Sequence, residues 1–436
     1  MTCRYDVLVV GAGPGGIAAA TAAAEAGCHV CLLDGNAAPG GQIWRGFHAE
    51  TAGRTPQAKE FLKWTARLRQ TQCEVRQGWQ AVDAPRRGTL RLESSGSCRD
   101  VEFGKLILAT GARERFLPFP GWTLPGVMGV GGLQALVKSG LNPAGKRVVL
   151  AGSGPLLLAV GASLQAAGAE LMGIYEQASF ASLAGLTASL FAYPSKLAEG
   201  AHYRLKTRRV AYRTHSWVVR AEGRGRVDSV TLTDGHNQWS VDCDWLGCSY
   251  HLVPNLELAL LLNCRTAGAY VEVDRLQQTS VPGVFCVGEL TGIGGLEKAL
   301  IEGQIAGWAA AGRTREALAL EPHRRRQQSF AHRLDRAFAL RPELRRLPEA
   351  STLICRCEDV PYSVLERCSS WRQAKLHTRC GMGACQGRVC GPATEFLFGL
   401  RGQGWNCIGP RPPIFPAQVS TLAAPAGAED RSVPVG

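Results

Sequence analysis

The chain has 436 residues, a formal net charge of +13 and 16 cysteines. This length exceeds what one hydrophobic core usually organises and predicts two or three domains. With 45% hydrophobic and 19% charged residues, the composition excludes a disordered or fibrous chain. The positive charge alone fits nucleic acid, an anionic membrane or an acidic partner. The densest basic stretch, residues 313–346, lacks a groove or base-stacking motif, so we expect no nucleic acid and interpret it as a solvated helical connector or a docking face.

The cysteines and the hydropathy of the sequence indicate the cellular compartment in which we expect the protein. Sixteen cysteines would suggest disulfides in a small secreted protein, but this chain is large and opens with a strand-like segment, residues 5–10, without a basic leader. We therefore expect a cytoplasmic protein, and leave a peripheral position at the inner membrane open. The apolar stretches 7–24 and 148–168 are interrupted by glycines at turn positions, so we expect no transmembrane helix.

The order of elements predicts an α/β fold with two Rossmann-like dinucleotide-binding domains, the first of them discontinuous. The chain opens with the apolar run DVLVV, a glycine loop, an alanine-rich helix and a second apolar run, which together predict a βαβ unit. A second unit starts near Lys146 with RVVLAGSGP. Residues 281–311 again indicate strand, loop and helix, and would complete the first domain.

The first glycine loop has the spacing of a dinucleotide-binding site. Gly11 permits the tight turn, Gly13 lets the backbone approach a pyrophosphate, and Gly16 allows close packing of helix on strand. The phosphate would lie at the helix N-terminus beside Pro14, where free N–H groups favour negative charge. Asp34 ends the next strand, where a carboxylate can accept hydrogen bonds from an adenosine ribose. Together these residues predict a bound dinucleotide.

Three further segments point to FAD as that dinucleotide. The strings GGQ, LILATGAR and VFCVGE resemble the closing loop, the returning strand and the flavin-contacting strand of two-dinucleotide-domain flavoproteins of the thioredoxin reductase-like type, over residues 1–312. By this resemblance the additional FAD-binding residues are Gly41, Gln42, Thr110, Gly111, Gly288 and Glu289. Asp34 stands where these flavoproteins more often have glutamate, and Glu289 stands where they more often have aspartate. Both positions retain a carboxylate.

The second glycine loop departs from the dinucleotide pattern. Gly152 and Gly154 are present, but Leu157 replaces the third glycine and would crowd a diphosphate. Glu176 follows the next strand at a ribose-binding position. An adenine nucleotide at this second site and a vestigial empty site both remain open; if a nicotinamide nucleotide bound, the acid would favour NADH.

Five of the cysteines near the C-terminus indicate a metal or cluster site. Cys355 and Cys357 form a CxC pair, and Cys380, Cys385 and Cys390 follow. Thiolates in such numbers suit an iron–sulfur cluster or zinc, and the CxC pair disfavours zinc. The strings LICRCEDV and GMGACQGRVC resemble the bacterioferritin-associated-ferredoxin-like [2Fe–2S] domain. That resemblance implies Cys355, Cys357, Cys385 and Cys390 as ligands, with Cys380 beside the cluster. Cys380 and Cys385 have the same CxxxxC spacing as Cys385 and Cys390, so the spacing leaves open whether Cys380 replaces Cys390.

No residue set predicts independent catalysis by this chain. The one CxxC spacing in the sequence, Cys28 to Cys31, runs into the second apolar strand of the first βαβ unit, so we do not expect the disulfide-reductase chemistry of thioredoxin reductase. HExxH and GxSxG are also missing from the sequence, and His215 and His251 stand apart from other candidates. We therefore assign no catalytic residue.

A flavin domain followed by a [2Fe–2S] module resembles the α subunit of heteromeric amino-acid and imino-acid dehydrogenases, the opine oxidase, hydroxyproline dehydrogenase and cyanide-forming glycine dehydrogenase group. The resemblance implies a β flavoprotein subunit that oxidises the amino acid, with hydroxyproline or proline favoured over opines. It further implies FMN at the subunit junction and a downstream electron acceptor, and it leaves a small γ subunit open. The alternatives are an NADH-dependent reductase that uses the cluster and a cofactor-binding scaffold.

These interpretations divide the chain into six parts. They are residues 1–142 and 249–312 for the FAD-binding domain, 143–248 for the second dinucleotide-binding-like domain, 313–350 for a basic helical connector, 351–404 for the small helical [2Fe–2S] domain, and 405–436 for an irregular tail.

Overall fold

A computed structural model describes residues 4–46, 56–399 and 410–425. The described residues form two compact units. The first contains residues 4–46, 56–113, 254–331 and 410–425, and the second contains residues 114–253 and 332–399. The six-part division made from the sequence stays a prediction.

The strands alternate with helices in the manner of an α/β protein, which confirms the predicted fold class. The strands are β1 (Arg4–Val10), β2 (Val30–Asp34), β3 (Glu74–Gln77), β4 (Gln80–Arg86), β5 (Thr89–Ser94), β6 (Ser97–Leu108), β7 (Ala112–Glu114), β8 (Val127–Gly129), β9 (Arg147–Ser153), β10 (Glu170–Glu176), β11 (Tyr212–Arg213), β12 (Trp217–Glu222), β13 (Ser229–Thr233), β14 (Gln238–Asp242), β15 (Trp245–Tyr250), β16 (Leu252–Pro254), β17 (Thr266–Ala267), β18 (Tyr270–Val271), β19 (Val284–Cys286), β20 (Leu353–Cys355) and β21 (Val360–Pro361). The helices are α1 (Pro14–Glu25), α2 (Pro56–Arg69), α3 (Val130–Lys138), α4 (Leu156–Ala166), α5 (Phe180–Ser189), α6 (Pro194–Lys206), α7 (Glu257–Leu261), α8 (Leu296–Ala310), α9 (Thr314–Ala319), α10 (Glu321–Ala337), α11 (Tyr362–Leu365), α12 (Trp371–Thr378), α13 (Cys390–Phe398) and α14 (Val419–Ala423).

The main sheet of the first unit has the strand order β3-β2-β1-β6-β5-β4, and β19 pairs with β6. β1 pairs in parallel with β2 and β6, and β19 is also parallel to β6. The central strands are continuous apolar runs because helices or loops cover both faces of such a sheet. Their carboxyl ends bring the first glycine loop and the segments after β6 and β19 to one edge.

Helices α1 and α8 pack unusually closely in this unit. A Cβ on Gly303 would lie 2.2 Å from the Gly15 carbonyl oxygen, and one on Gly307 would lie 2.3 Å from that of Ala19. Only glycine permits this approach of one backbone to the other. The close packing fixes the N-terminal end of α1, where the first glycine loop lies.

The second unit is built on the parallel sheet β11-β10-β9-β15-β8, accompanied by the antiparallel sheet β12-β13-β14. One face of the parallel sheet packs on α3 and α4 through a core that includes Val130, Leu133, Val160 and Leu164. The order of β10, β9 and β15 places a topological switch point between β9 and β15, where the chain leaves the sheet in opposite directions.

The cysteine-rich segment folds within the second unit as β20, β21 and helices α11 to α13. Its core contains Ile354, Leu365, Trp371 and Phe398 together with buried cysteines. Among the residues that the structure describes, no helix combines the length and the apolar character needed to cross a membrane.

Candidate functional site

The first glycine loop joins β1 to α1 with the geometry that a bound phosphate requires. Gly11 has φ +106°, and a Cβ there would lie 2.3 Å from the Ala109 carbonyl oxygen. A Cβ on Gly16 would lie 1.7 Å from the Gly11 carbonyl oxygen. At Gly13, by contrast, the nearest atom to a Cβ is the Cα of Gly41 at 3.9 Å, so that side of the loop is open. Two of the glycines therefore build the turn, while Gly13 leaves space in front of it.

Helix α1 presents an uncapped N-terminus to that space. Its N-cap is Gly13, Pro14 occupies its first turn, and neither a side-chain cap nor an acidic residue is present there. Proline is favoured at this position because its missing N–H would have no partner in the helix. The remaining free N–H groups and the helix dipole suit a pyrophosphate.

Asp34 lies at the carboxyl end of β2 and is almost completely buried. Its carboxylate accepts hydrogen bonds from the Ala12 N–H at 2.6 Å and from the backbone and side-chain amides of Asn36, both at 2.7 Å. The acid thus holds the glycine loop against β2. Gly41 lies over the loop, since a Cβ on it would be 3.0 Å from the Gly13 Cα, and Gln42 is exposed to solvent.

The segment after β6 is tied to the start of α7. Thr110 donates its hydroxyl to the Asn255 carbonyl at 2.7 Å, and the Asn255 side chain donates to the Thr110 carbonyl at 2.8 Å. The Asn255 N–H also donates to the carbonyl of Gly111, which has φ +69°. Asn255 therefore fixes the turn that the sequence assigned to the flavin, although no motif marks this asparagine.

The segment after β19 is held by a buried ion pair. Lys298 donates to Glu302 at 2.8 Å, and both side chains are at most 1% exposed. Lys298 also donates to the Gly288 carbonyl at 2.8 Å, while Glu302 accepts from the Gly288 N–H at 2.9 Å. Glu289 accepts from the N–H groups of Gly294 and Gly295. This network rigidifies the turn, and burial raises the pKa of Glu289.

The second glycine loop, after β9, repeats much of the arrangement of the first. Gly152 has φ +137°, and a Cβ there would lie 1.9 Å from the Ser249 carbonyl oxygen, whereas Gly154 has open space around it. Glu176 is fully buried, and its carboxylate accepts from the N–H groups of Gly154 and Ala178, both at 2.8 Å. Burial raises the pKa of Glu176 to about 7. Both of its oxygens thus accept from backbone N–H groups, as those of Asp34 do.

The cysteine-rich segment brings the thiols of Cys355, Cys380 and Cys390 within 4.8 Å of one another, and all three are buried. This group contains two of the four cysteines implied by the ferredoxin-like resemblance, Cys355 and Cys390, while Cys385 interacts with Cys390 and with Cys357. Cys380 contacts Cys355 and Cys390 as a fifth thiol.

Hydrogen bonds between these thiols lower the pKa of some of them and raise the pKa of others. The Cys380 and Cys390 thiols lower the pKa of Cys355 to about 2, and the Cys390 thiol lowers that of Cys385 to about 5. The same bonds raise the pKa of Cys390. Several sulfur donors this close together suit a metal or an iron–sulfur cluster.

Glycines allow this crowding of sulfur atoms. A Cβ on Gly383 would lie 2.4 Å from the Cβ of Cys357, and one on Gly381 would lie 2.6 Å from the Trp371 ring. Both glycines therefore let the loop before α13 approach the CxC segment.

Comparison with known proteins decides the family. A family model described as pyridine nucleotide-disulphide oxidoreductase matches residues 5–314. Hydrogen cyanide synthase subunit HcnB of Pseudomonas aeruginosa is 33% identical over 95% of this chain and 97% of its own length. An opine oxidase subunit of Rhizobium meliloti is 33% identical over 96% of this chain and 98% of its own length. The chain belongs to this oxidoreductase family. It is a FAD-dependent oxidoreductase subunit of the type that includes HcnB and this opine oxidase subunit, as the motif resemblance predicted.

Solved structures agree with this family in fold. L-proline dehydrogenase from P. horikoshii superposes with a TM-score of 0.69 and 16% identity, over 97% of this chain and 80% of that chain. Thioredoxin reductase from T. acidophilum superposes with a TM-score of 0.55 and 21% identity, over 71% of this chain and 98% of that chain. At these identities the likeness concerns the fold alone.

Sequence reasoning did not identify two features of the site, Asn255 and the Lys298–Glu302 pair. Asn255 lies in a loop without a motif. Lys298 and Glu302 could have been recognised, because opposite charges four residues apart within an otherwise apolar helix indicate a buried pair. Cys380 was placed beside the cluster, and the structure shows that it touches two of the four assigned cysteines.

Proposed function

We propose that this chain is the electron-transferring subunit of a heteromeric dehydrogenase or oxidase that oxidises an amino or imino acid in a partner subunit. The observation that carries the proposal is the similarity to HcnB and to the opine oxidase subunit over nearly the whole of each chain. The similarity therefore extends beyond residues 5–314 into the cysteine-rich segment. We propose hydroxyproline, proline or an opine as the substrate class.

The residues present fit FAD. The open side of Gly13 and the uncapped start of α1 would receive the pyrophosphate, and Asp34 would accept from the ribose. Gly41 and Gln42 would close over the cofactor, while the turns at Thr110–Gly111 and Gly288–Glu289 would border the flavin. When bound, FAD would accept electrons in pairs and an iron–sulfur cluster would accept them singly. The part of the protein is to hold these turns still, through Asn255 and the Lys298–Glu302 pair.

The cysteine group fits a [2Fe–2S] cluster held by Cys355, Cys357, Cys385 and Cys390. Its donors are all sulfur, and Cys385 links the CxC segment to the start of α13. The fifth thiol, Cys380, would lie against the cluster.

Helix α5 supports a partner subunit. It has an apolar sequence, FASLAGLTAS, but none of its residues is buried. Phe180 and, just beyond the helix, Phe191 are 74% and 78% exposed. Aromatic surface of this size is usually covered by a partner. We propose that a β flavoprotein subunit, the site of amino-acid oxidation, covers α5.

The same proposal includes further components of the complex. They are FMN at the junction, a small γ subunit, a downstream electron acceptor and a peripheral position at the inner membrane.

Co-expression of this chain with the candidate β subunit tests the proposal. Wild type should co-purify with its partner and reduce a dye when the amino acid is added. Phe180→Asp combined with Phe191→Asp should lose both co-purification and activity, because charges would replace the apolar contact. Val419→Asp is the matched control, since Val419 is 81% exposed in α14 of the first unit. Full activity of the double variant would contradict α5 as the contact, and dye reduction by the isolated chain would contradict the need for a partner.

A further inference from the structure

In a Rossmann-like domain a dinucleotide lies across the carboxyl ends of the parallel strands, at the switch point of the strand order. In the second unit this edge is formed by β15, β9, β10 and β11, in that spatial order. A nucleotide bound there would cross the ends of β9 and β10, near Ser153 and Glu176.

Residues 335–341, which we call the strap, follow the same line. At one end, Asp335 Oδ1 lies 3.2 Å from Nε2 of His251, the residue immediately after β15. The Phe338 carbonyl then accepts a hydrogen bond of 3.1 Å from the hydroxyl of Ser153, the last residue of β9. The strap thus passes from the end of β15 to the end of β9.

The strap continues over β10 and β11. The side chain of Gln177, the residue after β10, donates to the Ala339 carbonyl at 3.2 Å, and its oxygen accepts from the Arg341 N–H at 3.2 Å. The Arg341 guanidinium lies 2.7 Å from Nδ1 of His215, two residues after β11, and stacks 4.4 Å above the Trp217 ring. The strap therefore contacts the end of each of the four strands in turn.

These contacts use the groups that a nucleotide would need. Ser153 is 3% exposed, and Gln177 and Glu176 are fully buried. Ser153 and Gln177 both bind the strap through their side chains. Phe338, at the centre of the strap, is also buried. A nucleotide could enter only after the strap had left.

We propose that the strap is a built-in occupant of the second dinucleotide site, so that this domain binds neither NAD(P)H nor another adenine nucleotide in the native state. The domain would then be a structural platform, and electrons would enter the flavoprotein by another route. This inference stands whether or not the partner oxidises an amino acid.

Hydrogen–deuterium exchange on the full chain with its bound cofactors tests the strap directly. In the wild type, the peptide that contains Phe338 to Arg341 should exchange slowly, and millimolar NADH should leave that peptide and the second glycine loop unchanged. Gln177→Ala should speed exchange of the strap peptide about tenfold, because it removes the side-chain hydrogen bonds to the Ala339 carbonyl and from the Arg341 N–H. Gln165→Ala, an exposed glutamine in α4 of the same unit, is the matched control and should change nothing.

Two results would overturn the inference. One is slower exchange of the second glycine loop in the wild type when NADH is added. The other is a strap peptide that exchanges in the wild type at the rate of an unstructured chain. If Gln177→Ala does not fold, Arg341→Ala provides the second variant: release of Trp217 from the guanidinium should change its fluorescence, and an unchanged spectrum would contradict the contact.

Discussion

Gly13 and Gly16 stand three residues apart in one loop, but a methyl group would meet very different surroundings at each. At Gly16 it would overlap the Gly11 carbonyl oxygen, whereas at Gly13 it would enter the open side of the loop. Gly16→Ala should therefore lower the free energy of unfolding by about 3 kcal/mol or more, with or without flavin. Gly13→Ala should cost at most about 1 kcal/mol in the flavin-free protein and still abolish FAD binding.

Urea unfolding of the flavin-free proteins and flavin content after reconstitution separate these two effects. A Gly13→Ala variant that binds FAD as the wild type does would show that the pyrophosphate does not lie against this loop.

Glu176 predicts a dependence of stability on pH. Burial raises its pKa from 4.5 to about 7, so between these values the native protein holds a proton that the unfolded chain has released. The free energy of unfolding should fall as the pH rises through this window, by about 3 kcal/mol from this group, and should be independent of it above pH 7. Glu176→Gln keeps the shape but cannot titrate.

Urea unfolding of wild type and Glu176→Gln from pH 5 to pH 7 gives the measurement. The difference in free energy of unfolding between the two proteins should shrink or change sign as the pH rises, because only the wild type loses stability at this group. Parallel pH profiles would contradict the assigned protonation.

At the scale of elements, the module that contains α11 to α13 decides which sulfur atoms bind the cluster. Cys385 contacts both Cys357 and Cys390, whereas Cys380 contacts Cys355 and Cys390. On the proposed ligand set, Cys385→Ser should lose iron and the visible absorption of the cluster. Cys380→Ser should retain both. Cys368→Ser is the matched control, because Cys368 is buried in the same core without belonging to the group.

Iron content after anaerobic purification checks this prediction. Loss of iron in Cys380→Ser together with retention in Cys357→Ser would replace the proposed set with one that contains the three closely spaced thiols of Cys355, Cys380 and Cys390.

The elements that could be predicted from the sequence are those specified by local pattern. The βαβ units follow from apolar runs, glycine loops and helical periodicity within about 30 residues. The strap could not be predicted, because its contacts join residues such as Gln177 and Arg341, which lie 164 positions apart. The exposure of α5 could not be predicted either, because its apolar sequence is typical of a buried helix, yet the fold leaves the helix exposed.

At the scale of the whole molecule, the chain contains two dinucleotide-binding folds, of which one is open and one is closed. Both glycine loops have open space at their middle glycine, Gly13 and Gly154, but the strap lies against Ser153 of the second loop. A chain that binds FAD in one domain and excludes nicotinamide nucleotides from the other must receive its electrons from a donor other than NAD(P)H. The exposed aromatic surface of α5 and the relatives that are themselves subunits support a partner as that source.

The most direct test of this account is an anaerobic titration of the complex of this chain with its β subunit, followed by visible absorption. Hydroxyproline, proline, octopine and glycine are added in turn, and NADH is added to a separate sample. The account predicts that one of the amino or imino acids bleaches the flavin and cluster bands, and that NADH leaves them unchanged. Rapid bleaching by NADH in the isolated chain, with no response to any amino acid in the complex, would contradict it.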